Sequence, residues 1–96
     1  LSSYTFESIM RVKNESEHLQ LKENLTDEEK ETLAVCFNFL GRYENCNEKL
    51  KVPEYFDKAI EIYEGINRLH PRLFRWYETT ALLSYMTRVT KDLSRQ

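Results

Sequence analysis

Ninety-six residues, of which 41% are apolar and 12% aromatic, make one domain around one core, and exclude both a disordered chain and a second domain. Charged residues supply 31%, while glycine and proline occur only twice each, the composition of long helices joined by short connections. The formal charge of −2 is unevenly spread: residues 1–67 carry 8 Lys/Arg against 14 Asp/Glu, and residues 68–96 carry 6 against 2. The two halves either pair with each other or leave a basic face for a partner.

No apolar run approaches the length of about 18 residues that a membrane span needs, and no signal peptide is visible. The chain opens at Leu1 without a methionine, which reads as a fragment of a longer protein, so the lack of a targeting or anchoring segment here carries little weight. The two cysteines, Cys36 and Cys46, fall in one expected helix. Ten residues of helix rise about 15 Å, beyond disulfide reach. They read as reduced cysteines of a cytoplasmic protein.

In chain order, a first helix is expected from Ser3 or Thr5 to Leu21. Phe6, Ile9, Met10 and Leu19 form its apolar side, and Lys13 to His18 is wholly polar. Thr26-Asp27-Glu28-Glu29 is a capping box: the Thr26 hydroxyl accepts from the amide of Glu29, whose carboxylate reaches back to the amide of Thr26. Three acids in the first turn suit the helix dipole. The second helix then runs to about Lys49, with Leu33, Cys36, Phe37, Leu40 and Tyr43 at helical spacing and Phe39, Cys46 and Leu50 beside them. Pro53 starts the third helix, where Tyr55, Phe56, Ala59, Ile60, Tyr63 and Ile66 face inward, and Ile62 and Leu69 widen the arc. His70-Pro71 ends it and opens the fourth, which holds Leu73, Phe74, Trp76, Tyr77, Ala81, Leu82, Tyr85, Met86 and Val89. No alternating strand pattern occurs. The expected fold is all-α, a compact four-helix bundle or helical-hairpin array, with residues 1–96 as a single domain.

Residues 37–71 carry Phe37, then Leu40-Gly41, then Ala59, Tyr63 and Pro71, and in this they resemble one degenerate tetratricopeptide repeat. The resemblance implies a helical hairpin whose small Gly41 and Ala59 let the backbones approach while Phe37 and Tyr63 fill the space beside them. A continuation would put Tyr77 and Ala81 at the next large and small positions. Two departures stand out. About six extra residues near 47–52 lengthen the turn, and Ile66 occupies a usually small position; solenoids also need about three copies, and this chain holds about one and a half. The same segment also resembles an uncharacterised family of bacterial and phage helical domains that often follow membrane helices.

Candidate chemistry is sparse. Arg11 and His18 have the R-x₆-H form that resembles the pair of HEPN-type ribonucleases, and seven residues place both on one helix face. That pair usually lies in a late helix, and Val12 stands where a polar residue is expected; the alternative is a solvated face. Glu15 and His18 make half of a di-iron motif, but His70 has Asn67 rather than a glutamate three residues before it, so no metal or other cofactor is expected. Either cysteine as a nucleophile needs a histidine base, and both fall on apolar stripes. With only Gly41 and Gly65 in the chain, no phosphate-cradling loop exists. Asn14-Glu15-Ser16 and Asn24-Leu25-Thr26 match glycosylation acceptors by chance. No catalytic residue is expected.

Arg68-Leu69-His70-Pro71-Arg72-Leu73-Phe74-Arg75-Trp76-Tyr77 mixes cations and aromatics. That mixture serves a packed helix junction, an acidic protein partner or, less well given the net acidity, nucleic acid. The apolar residues exceed what one small core needs, and surplus exposed apolar surface marks a partner site. The expected function is therefore a non-catalytic protein–protein interaction module. It would self-associate through Phe39, Ile62, Leu69 and Trp76 on helices three and four and their neighbour, with Arg72 and Arg75 as a rim.

Overall fold

The computed structural model describes residues 6–43, 52–66 and 69–94 of the chain. These form four helices: α1 (Phe6–Leu21), α2 (Asp27–Tyr43), α3 (Val52–Gly65) and α4 (Pro71–Ser94). The fold is all-α, and among the described residues there is no strand. Consecutive helices pack on one another, α1 on α2, α2 on α3 and α3 on α4. The expected run of α2 from Glu44 to Lys49, with Cys46 and Leu50, lies outside the described residues.

The helix boundaries follow local chemistry. The amide of Glu29 donates to Thr26 Oγ1 at 3.1 Å, and the amide of Thr26 donates to Glu29 Oε1 at 3.1 Å. This is the reciprocal capping box, formed as the sequence predicts. Lys22 of the α1–α2 turn pairs with the same carboxylate. These partners, Lys22 first and then the Thr26 amide, hold the Glu29 carboxyl down at about 2. At the other junction, Pro71 opens α4 where its missing N–H costs nothing. His70 acts as the cap residue: its carbonyl accepts from the amide of Phe74 at 3.0 Å, and its Nδ1 accepts from the amide of Leu73 at 3.4 Å.

The core is built by α2 and α3. Leu33, Ala34, Phe37 and Leu40 of α2 meet Ala59 and Tyr63 of α3, with Ile66 just past the helix end. Phe56 is buried on the same side of α3, and its ring occupies the space that a side chain on Gly41 would fill. A Cβ built there would lie 2.7 Å from Phe56 Cε1. α1 adds Leu19 to the core, with Ile9 and Val12 half-buried against it. Phe6, expected on the apolar side of α1, is instead 73% exposed, because it stands at the first residue of the helix.

One residue of the polar run in α1 is buried. Ser16 sits against α2 with its hydroxyl donating to the Lys13 carbonyl at 2.7 Å. A serine bonded to its own helix is small and self-satisfied, so it lets the helices approach without an orphaned polar group.

Candidate interaction surface

After its first two turns, α4 meets the rest of the molecule largely through polar side chains. To the core cluster it contributes Leu73, with Tyr77 half-buried against it, both in its first two turns. Beyond Tyr77, the residues at helical spacing on the docked side are Thr80, Ser84 and Thr87, with the half-buried Leu83 at its edge. Thr80 and Ser84 are buried. Asn38 Nδ2 of α2 donates to Thr80 Oγ1 at 2.7 Å, and Thr80 Oγ1 in turn donates to the Trp76 carbonyl at 2.7 Å. Ser84 Oγ donates to Asp57 Oδ1 of α3 at 2.8 Å, while Arg88 pairs with the second oxygen of Asp57. Nearer the start of α4, Tyr77 donates its hydroxyl proton to Glu64 of α3 at 3.2 Å.

Five large apolar residues of α4 point the other way. Phe74, Leu82, Tyr85, Met86 and Val89 are 48%, 57%, 67%, 53% and 39% exposed. At about 100° per residue, Phe74, Glu78, Leu82, Tyr85 and Val89 form one stripe, with Arg75 and Met86 on its edge, turned away from Thr80 and Ser84. An ordinary surface helix buries its apolar stripe and exposes its polar one. α4 between Leu82 and Val89 does the reverse.

The six residues that the sequence marks as a partner surface are separated into two groups. Phe39, Ile62 and Leu69 are half-buried against the core. Phe39 packs its ring on Tyr43 with centroids 4.8 Å apart. Ile62 lies in a shallow open depression with Leu25, Phe37 and Lys58. On α3 this is the flank opposite the one that carries Glu64 and Asp57 to α4. Arg72, Arg75 and Trp76 are exposed on α4. Trp76, although exposed, stands on the far flank of the docked stripe from Phe74 and Leu82. The outward stripe escapes sequence reading because every residue in it but Glu78 also has the right type for a core. Only the pairing of Thr80 with Asn38 and of Ser84 with Asp57 shows which face is turned in.

The remaining candidates sit apart from this surface. Arg11 and His18 are both exposed on one strip of α1. Arg11 borders an open depression with Phe6, Met10 and Asn14. Cys36 is buried and unpaired; burial raises its thiol pKa, and the nearby Glu15 carboxylate adds to the rise. Its thiolate is scarce at neutral pH. Among the described residues no three His, Cys, Asp or Glu side chains gather as a metal ion requires. Nor is any described helix long and apolar enough to cross a membrane. No protein-family model matches the chain, and neither does any curated protein or solved structure.

Proposed function

We propose that this chain is a non-catalytic helical interaction module that self-associates through the exposed apolar surface of α4, with Arg72 and Arg75 at its rim. One observation supports this above the others: α4 turns polar residues inward and leaves five large apolar residues of its outer stripe in water. Exposed apolar residues scattered singly need no explanation, whereas a contiguous stripe of them marks a contact surface. The test is the solution mass of the purified chain by light scattering across a concentration series. A mass rising from monomer to dimer supports the reading. A monomeric mass at every concentration contradicts it.

A ribonuclease reading rests on Arg11 and His18 sharing one exposed strip of α1. It requires RNA cleavage by the wild type that His18→Ala abolishes. A self-associating module shows the same mass with either residue at position 18.

A further inference from the structure

Resting on the self-association reading, we propose that a second copy of this chain docks on the outer stripe of α4, with the two α4 helices antiparallel and the two-fold axis near Leu82. Three features of the helix converge on this arrangement.

The first is spacing. A two-fold contact must be self-complementary, each residue meeting the mate that meets it. Along the stripe, Phe74 precedes Leu82 by eight residues and Val89 follows it by seven. Antiparallel pairing about Leu82 therefore sets Phe74 against the partner's Val89 and Leu82 against the partner's Leu82. It also brings Glu78, the one acid of the stripe, beside the partner's Tyr85, whose hydroxyl is a ready donor to a carboxylate.

The second is area. An aromatic side chain carries about 150–250 Å² of surface, so five apolar residues at 39–67% exposure leave on the order of 500 Å² uncovered. Two such stripes bury about 1,000 Å² of apolar surface between them. With the polar flanks this reaches the lower part of the range for stable interfaces, roughly 1,200–2,000 Å².

The third is charge. The first turn of α4 holds no acid and carries Arg72, with Arg75 one turn on; both are exposed. Cations at a helix N-terminus oppose its dipole, and they are favoured beside a C-terminus. An antiparallel mate supplies that C-terminal end. It also keeps the two Arg75 side chains about 20 Å apart along the helix axis, where a parallel mate would set them side by side.

The experiment uses the whole chain in two forms. In native sequence, Leu82→Glu and Trp76→Ala are compared with wild type by light scattering, their folding checked by circular dichroism. In a Cys36→Ala, Cys46→Ala background, Leu82→Cys is oxidised beside Glu61→Cys, a site on the flank of α3 away from α4. The proposal expects Leu82→Glu to raise the dimer dissociation constant about tenfold or more, Trp76→Ala to change it little, and a disulfide dimer to form at position 82 far faster than at 61. A dimer that tolerates Leu82→Glu and cross-links no faster at 82 than at 61 overturns this arrangement and leaves self-association standing. A chain monomeric in every form overturns both.

Discussion

Gly41 and Tyr63 show how tightly the α2–α3 interface is set at single positions. Gly41 is helical with an ordinary φ, so its reason is space: the buried Phe56 ring stands where a Cβ would go. Alanine is the better helix former by about 1 kcal/mol, yet the ring is enclosed and cannot yield. Gly41→Ala is expected to destabilise the protein by about 1–3 kcal/mol, the usual cost of overpacking, as read from urea unfolding. Phe56→Leu in the same chain should recover part of the loss, because the two residues share one space. Tyr63 is fully buried, and its hydroxyl has no hydrogen-bond partner among the described residues. Burial pushes its pKa up to about 12, and the carboxylate of Glu31 adds to the rise. An unsatisfied buried hydroxyl is a penalty rather than a contribution. Tyr63→Phe should leave stability unchanged or raise it by about 1 kcal/mol, while Tyr63→Ala should cost about 3–5 kcal/mol; a loss of stability in Tyr63→Phe would reveal a partner for the hydroxyl.

At the scale of the element, the α1–α2 junction depends on a charge. The folded pKa of Glu29, about 2, lies below its ordinary 4.5. A depressed carboxylate stabilises the fold in full above its ordinary pKa and loses that contribution as pH falls through the folded value. Wild type should therefore melt above Glu29→Gln at pH 6, with the gap closing as pH drops from 4.5 towards 2. A gap that does not change with pH would deny the carboxylate this role. In α4 the polar contacts take the place of a hydrophobic seam. Thr80→Val removes the acceptor of the Asn38 amide inside the core and should cost about 1–3 kcal/mol. A double-mutant cycle with Asn38→Leu should show the two costs to be coupled. Loss of α4 docking before loss of the α2–α3 core, seen by hydrogen exchange, is the expected order of opening, since the part of α4 after Tyr77 is held largely by polar contacts.

These same elements show what sequence could convey. The capping box at Thr26 was legible because its chemistry lies within four residues, and so was the start of α4, set by a proline. The apolar stripe of α2 was legible because three-quarters of its circumference is apolar or small, leaving little choice of face. α4 was not. Its apolar residues lie nearly all round the helix, so periodicity could not choose an inner face; Asn38, 42 positions away, chooses it by bonding Thr80. Ser16 was hidden for a similar reason, since a polar residue that bonds its own helix has the sequence signature of a surface one. Of the residues read as a partner surface, Arg72, Arg75 and Trp76 are on the exposed helix, while Phe39, Ile62 and Leu69 lie half-buried against the core. Types alone could not separate the two groups.

At the scale of the whole molecule, a chain of three sequential helix contacts leaves the last helix covered on one side. α4, with 24 residues, is the longest of the four helices, and its outer stripe is open from Phe74 to Val89. A second α4 laid against it would convert a partly wrapped helix into a buried one and give the inverted polarity of the stripe a purpose. The most direct test of that claim is sedimentation equilibrium on wild type and Leu82→Glu side by side. A wild-type chain that dimerises and a folded Leu82→Glu chain that stays monomeric at the same concentrations is the predicted result. Equal masses for the two would contradict the claim.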